Sequence, residues 1–349
     1  MNLKQKNALN QRTRVPVNLT QLGFGAAPLG NLYRKIEDAD AQATIQAAWD
    51  AGIRYFDTAP QYGLGRSELR VGQGLGQHDR DTLTLSTKAG RVLEDCAPED
   101  VTPEAFVDVP QKRIVFDYTY DGIMRSVEDS TKRLGMETFD MLFLHDIDAG
   151  THGEMGAEDK LRELFAHGGY RALTELRDAG RITAIGAGVN TWQICERLLS
   201  EADFDGFLLA GRYTLLEQDP LETFLPLCLK RDVGIILGGP YNSGILATGA
   251  VEGARYDYAP APEQILARVR NLEEVCAAHN TPLIAAALQF PLGHSAVKSV
   301  IPGASTPDEV RQNVKIFETP IPAALWSDLK SQGLIRQDAP IPEECPDAS

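Results

Sequence analysis

The chain has 349 residues, 43% of them hydrophobic, and a formal net charge of −15. That length and content allow one large core. The acidic balance, with a pI near 4.9, argues against nucleic acid or an anionic membrane as partner. Five cysteines (Cys96, Cys195, Cys228, Cys276 and Cys345) are odd in number, widely spaced and without a C-x-x-C pair. This reads as reduced thiols, with neither a disulfide framework nor a zinc site, so no metal is expected. No apolar run approaches a membrane span, and MNLKQKNALNQRTR at the start has no signal-peptide core. A soluble, cytoplasmic protein is expected.

In chain order, residues 1–13 are polar and read as a flexible segment. Residues 15–20 suggest one arm of a short hairpin. A first strand covers 22–27. Asp38 then looks like a helix cap, with Ile45, Ala48 and Trp49 on one face and Gly52 as the stop. A second strand ends at Asp57, a helix follows over 67–75, and a third strand ends at Lys88. Residues 89–120 are irregular and rich in Asp, Pro and Glu, which suggests a substrate-side loop. A helix opens at Asp121, with Ile123, Val127 and Leu134 in phase and Gly135 after it. The fourth strand delivers His145, and a second excursion, 146–168, contains a helical piece over 158–166.

Regular alternation resumes with helices over 170–179, 192–200 and 221–231 and strands over 182–187, 206–210 and 234–238. A Gly-rich loop, 239–261, precedes helical segments over 262–279 and 282–292. The last strand is 298–301, with helices over 306–314 and 322–331. This strand-helix alternation implies right-handed parallel crossovers and an α/β fold, a single (β/α)8 barrel over residues 14–335. An acidic, Pro-rich tail, 336–349, completes the chain.

Four ionisable residues fall at or just past the ends of three successive strands: Asp57, Tyr62, Lys88 and His145. In a parallel barrel those ends converge on the face that carries the catalytic loops. Each residue alone has an ordinary explanation, such as a solvated Lys, a packed Tyr or a structural His. Together they form a device for moving one proton at a carbonyl or carbinol oxygen. An ammonium lowers the pKa of a phenol, a carboxylate keeps that ammonium charged, and an imidazole orients the oxygen.

The segments LGFGAAPLGN (22–31), GIRYFDTAPQYGLGRSE (52–68), STKAGR (86–91), FDMLFLHD (139–146), RITAIGAGVN (181–190) and VIPGAS (300–305) resemble the aldo-keto reductase superfamily. The resemblance spans about residues 20 to 335. Within that family it is nearest the aldose 1-dehydrogenases (L-fucose or D-threo-aldose, and L-galactose), with pyridoxal 4-dehydrogenase in the same neighbourhood. It implies a TIM barrel with a hairpin plugging its bottom, and a catalytic tetrad of Asp57, Tyr62, Lys88 and His145. It also implies a nicotinamide dinucleotide, since nothing in the sequence looks like a metal or flavin site.

The same resemblance places the dinucleotide on the loop Gly238, Gly239, Pro240, Asn242, Gly244 and Leu246, then on Gly303, Ser305 and the helix carrying Glu309, Gln312 and Asn313. Glycines there let phosphate oxygens approach backbone N–H groups. Gly303 and Glu309 stand where NADP-dependent members carry cations for the 2′-phosphate. A carboxylate should repel that phosphate, so NAD is expected over NADP. The chain departs from the pattern after its fifth strand, where Gly188-Val189 replace a Ser-Asn pair and Asn190 is expected to hold the carboxamide. A usual Gln falls near Ala210, and a usual aromatic falls on Gly238, with Tyr213 or Tyr241 as candidates to replace it. The expected reaction is NAD-dependent oxidation of an aldose at its anomeric carbon to a lactone. Pyridoxal oxidation, aldehyde reduction, a Schiff-base lyase using Lys88 and a cofactor-sensing subunit are the alternatives. The partner is a small molecule, a sugar or pyridoxal, and the assembly a monomer or small homo-oligomer.

Overall fold

The computed structural model describes residues 1–342. Its elements run β1 (Lys6–Ala8), β2 (Asn18–Thr20), β3 (Phe24–Gly25), α1 (Asp38–Asp50), β4 (Tyr55–Asp57), α2 (Arg66–Leu75) and β5 (Thr84–Ala89). A hairpin of β6 (Arg91–Asp95) and β7 (Lys112–Phe116) comes next, followed by α3 (Tyr120–Leu134), β8 (Phe139–His145), α4 (Ala149–Phe165), α5 (Gly169–Asp178) and β9 (Ile182–Val189). Then follow α6 (Gln193–Glu201), β10 (Gly206–Ala210), α7 (Phe224–Arg231), β11 (Gly234–Gly238) and α8 (Ile245–Thr248). A two-residue hairpin, β12 (Arg255–Tyr256) and β13 (Ala259–Pro260), precedes α9 (Glu263–Ala278), α10 (Leu283–Gln289), β14 (Val297–Ile301), α11 (Pro307–Phe317) and α12 (Ala323–Ser331).

Eight parallel strands form one sheet in the order β14-β11-β10-β9-β8-β5-β4-β3. Parallel bridges Leu22↔Val300 and Gly25↔Gly303 join its two edges and close the barrel. The short β3 therefore replaces the longer first strand expected over 22–27, because its flanks contribute single bridges only. Helices pack outside on one large apolar layer. Inside, Tyr55, Met141, Phe143, Ala184, Leu208, Ile236 and Ile301 fill the barrel.

The interior cluster also holds Leu9, Val17 and Leu19 from the N-terminal hairpin. β1 pairs antiparallel with β2, and Leu9 N–H donates to Val17 O at 2.8 Å. Residues 6–9, inside the polar segment expected to be flexible, are thus paired with the second arm of this hairpin. Leu9 lies so close to Gly206 and Gly234 that a Cβ on either would come within 2.8 Å of it. One apolar residue in a polar stretch carries no periodicity, which is why it escaped a pattern-based reading. The 89–120 loop is likewise not wholly irregular, since β6 and β7 pair from Arg91↔Phe116 to Asp95↔Lys112.

Asp38 opens α1 but Glu37 occupies the cap. Of the expected tail, Ala339 is buried, while residues 343–349, with Cys345, lie outside the described residues. Cys96, Cys195, Cys228 and Cys276 are free thiols. No helix among the described residues is long and apolar enough to cross a membrane. Truncating the plug by Leu9→Ala should cost about 2–5 kcal/mol, read as a lower urea midpoint with an unchanged slope.

Candidate active site

Register sets the site. Asp57 pairs with Ser86 across β4 and β5, Lys88 pairs with Phe143 across β5 and β8, and His145 pairs with Gly188 on β9. The strand ends therefore deliver three of the four groups at one level, and the turn after β4 brings Tyr62 over them. That turn is pressed against the loop after β3, since a Cβ on Gly63 (φ 64°) would lie 2.2 Å from Gly30 O.

Lys88 is 1% exposed and Asp57 2%. The Lys88 ammonium donates to Asp57 Oδ2 at 2.7 Å, to the Thr58 carbonyl at 2.9 Å and to the Tyr62 hydroxyl at 3.2 Å. All three of its protons are used, so it is an ammonium held in place and not a free amine. Burial alone would lower its pKa, but Asp57 and Tyr62 reverse this and raise it. A second relay lies beneath. Ser86 Oγ donates to Asp57 Oδ1 at 2.7 Å and sits 3.0 Å from Tyr55 OH. Sequence reasoning missed Ser86 and Tyr55; their alternation with core positions on adjacent strands was the available signal.

Tyr62 behaves differently from the expectation. Burial pushes its pKa above the usual phenol value, and this outweighs the lowering by Lys88. The hydroxyl is therefore protonated at neutral pH. His145, packed edge-on 5.8 Å from the Tyr62 ring, has its pKa pushed well below the usual value by burial, then by the Arg91 and Lys88 charges.

These groups open into a cavity of about 340 Å³, lined also by Gln61, Arg91, Phe106, Asp146, Asn190 and Tyr258. Arg91 was missed from sequence. Its guanidinium is buried, donating to Asp146 Oδ2 at 2.5 Å and Glu104 Oε1 at 2.8 Å. Both long excursions thus reach the cavity, through Glu104 to Phe106 and through Asp146 and Thr151.

The expected dinucleotide residues divide. Asn190 is at the cavity, its Nδ2 donating to Asp146 Oδ1 at 3.4 Å. Asn190, Gly239 and Asn242 border a narrow adjoining cleft of about 30 Å³ with Ala210, Gly211 and Tyr258. That is room for only a water or two, with the β12-β13 turn, through Asp257 and Tyr258, on one side of it. Asn242 offers backbone alone, since its side chain accepts from Thr214 Oγ1 at 2.6 Å and donates to Gly211 O at 2.9 Å. Gly244 caps the short α8, and Pro240 is buried.

Leu246 is a core residue at 0% exposure, and Gly238 ends β11 with Leu208 Cδ2 3.2 Å from where its Cβ would be. Tyr213 is buried against Phe290 and His294, and Tyr241 donates to Asn313 Oδ1 at 3.4 Å. Neither tyrosine lines the cavity, so neither replaces the aromatic absent at Gly238.

Farther out, Gly303 bridges Gly25, and Gln312 is exposed on α11 beside Asn313. Glu309 is engaged, accepting from Ser305 N–H at 2.7 Å and Arg34 Nη2 at 3.1 Å, while Arg34 also donates to Ser305 Oγ at 2.5 Å. Arg34 thus brings a cation beside the position where Glu309 replaces one.

Residues 21–332 match the Aldo/keto reductase family. The chain belongs to that family. It is 45% identical over 346 residues to pyridoxal 4-dehydrogenase of Microbacterium luteolum, covering 96% of this chain and 100% of that protein. It is 40% identical over 319 residues to D-threo-aldose 1-dehydrogenase of a Pseudomonas species, covering 90% and 94%. The holo form of an aldo-keto reductase from Bacillus halodurans superposes with a TM-score of 0.74 at 26% identity, covering 97% and 98% of the two chains. A glycerol dehydrogenase from Gluconobacter oxydans, at 21% identity, TM-score 0.73 and coverage of 99% and 98%, shows the fold alone.

As a member of this aldo-keto reductase family the protein is an oxidoreductase that works with NAD(P)H. The glycine backbone at Gly211 and Gly239 has no side chain to keep a phosphate away, and its cleft shares Asn190, Ala210 and Tyr258 with the catalytic cavity, which is compatible with such a cofactor. A buried His with a depressed pKa lets the unfolded chain bind a proton that the folded one refuses. Stability should therefore fall as pH drops below the unfolded value of about 6.5. Correspondingly, the His145 ring resonances should show no titration by NMR between about pH 8 and 6, where an exposed His is at mid-titration.

Proposed function

We propose that this protein oxidises a cyclic hemiacetal, of an aldose or of pyridoxal, to its lactone with NAD. The observation that carries the reading is the Lys88 ammonium, which spans the Asp57 carboxylate and the Tyr62 hydroxyl beside His145 at one cavity. The two most similar relatives named above are dehydrogenases of such substrates by their names. When bound, the dinucleotide supplies the hydride acceptor.

The hemiacetal hydroxyl would meet Tyr62 and the neutral ring of His145. Tyr62 takes its proton, and Lys88 stabilises the phenolate needed for that transfer. Asp57, fixed by Ser86, keeps Lys88 charged and aimed. Because burial raises the Tyr62 pKa, the phenolate is a minor form at neutral pH. Oxidation should therefore accelerate with pH and show no plateau below about 10. Tyr62→Phe should lose roughly 10²–10⁴-fold in turnover and this pH slope, while still binding NADH.

The direct test is NADH formation with pyridoxal, L-fucose, D-arabinose, L-galactose and D-glucose. Silence on all five removes the hemiacetal reading, and near-normal turnover in Tyr62→Phe removes Tyr62 from proton transfer. NAD preference is also part of the proposal, now on a different footing, because Glu309 acts by occupying Arg34 rather than by leaving bare negative charge. Freeing Arg34 by Glu309→Gln should shift kcat/KM several-fold toward NADP. An unchanged cofactor ratio would show that this pair does not discriminate.

A further inference from the structure

Two residues at the cavity are placed against ordinary packing logic. Tyr33 and Tyr258 both line it, yet they are 66% and 61% exposed. Both have left-handed backbone, φ 61° and 63°, a conformation that costs free energy for a residue with a Cβ. At Tyr258 the two-residue turn of the β12-β13 hairpin accounts for it, since Asp257 (φ 49°) and Tyr258 are its central residues; what points to a ligand is that both rings stand exposed at the mouth of the cavity.

Specific contacts impose both conformations. Tyr33 N–H donates to Ala105 O at 2.9 Å, next to the Leu32↔Phe106 bridge. Tyr258 lies in the turn between β12 and β13. Its N–H donates to Ser243 Oγ at 2.9 Å, its carbonyl accepts from Arg255 Nη2 at 2.6 Å, and its hydroxyl reaches Asn190 Oδ1 at 3.4 Å. The adjacent Asp257 is anchored by Arg212 Nη2 at 2.7 Å. A third ring in the lining, Phe106, is buried 6.1 Å from that of Tyr62.

We propose that Tyr33 and Tyr258, with Phe106, form an aromatic rim that selects a hemiacetal fused to a flat aromatic ring, as in pyridoxal, over a free aldose. This rests on the hemiacetal reading above. A planar ring offers a continuous π face to stack on tyrosines, whereas a puckered sugar offers only C–H patches between hydroxyls. Arg91 lines the same cavity, with its Nε lacking an acceptor.

Tyr33→Leu and Tyr258→Leu remove the aromatic ring and keep an apolar side chain. The measurements are KM and kcat for pyridoxal and for L-fucose, and the NADH dissociation constant by fluorescence titration. The wild type should have the lower KM for pyridoxal. Each variant should raise that KM by up to about tenfold with little change in the L-fucose KM, and Tyr33→Leu, which lies away from the Gly239 cleft, should leave kcat and NADH binding unchanged. A lower wild-type KM for L-fucose, an unaltered pyridoxal KM, or equal losses on both substrates would overturn the proposal. So would a Tyr258→Leu effect confined to NADH.

If neither substrate is oxidised, the reaction reading fails by itself. The rim is then decided by pyridoxine binding to the NADH-loaded protein. Weaker binding in the variants supports it, and equal binding overturns it.

Discussion

The buried contact between Lys88 and Asp57 constrains everything around it. An ammonium at 1% exposure is tolerated only with its protons satisfied. The structure supplies a carboxylate, a backbone carbonyl and a phenol to do so. Breaking such a pair by removing one partner typically costs about 3–5 kcal/mol. The geometry of strand ends, turn and relay is therefore held by the same forces that position the chemistry. Ser86 and Tyr55 extend that hold into the barrel interior.

Electrostatics and burial oppose each other throughout the site, and the balance differs by residue. At Lys88 the neighbouring negative charges win, at Tyr62 burial wins, and at His145 burial and two cations act in the same direction. The result is a charged lysine, a protonated tyrosine and a neutral histidine at one cavity. This set can donate to a carbonyl oxygen directly, and it can accept from a carbinol through the small phenolate fraction that Lys88 stabilises.

The loops beyond the barrel share one design. Segment 31–33 pairs with the 89–120 excursion, and the β12-β13 hairpin is tied back to Asn190, Arg212 and Ser243. The 89–120 excursion also buries Val92, Leu93, Phe106 and Tyr118, whereas the turn of the β12-β13 hairpin is held mainly by hydrogen bonds and salt links. Such a turn belongs to the less stable part of a fold, where opening is cheapest.

The barrel, most strand positions and the four ionisable groups were legible because each rests on local information. Apolar runs between turn residues mark strands, and Asp57, Lys88 and His145 each end one. What was not legible depended on which loops meet in space. Leu9 became a barrel plug, Arg34 came to neutralise Glu309, and Tyr213 and Leu246 turned inward, none of which any periodicity records. Protonation was equally out of reach, since the phenol of Tyr62 looks acidic beside a lysine until the depth of its burial is known. Sequence by itself determined the scaffold and the types of chemical group at its rim. Tertiary structure decided their charge states and neighbours, because desolvation and long-range contact exist only once the chain has closed on itself.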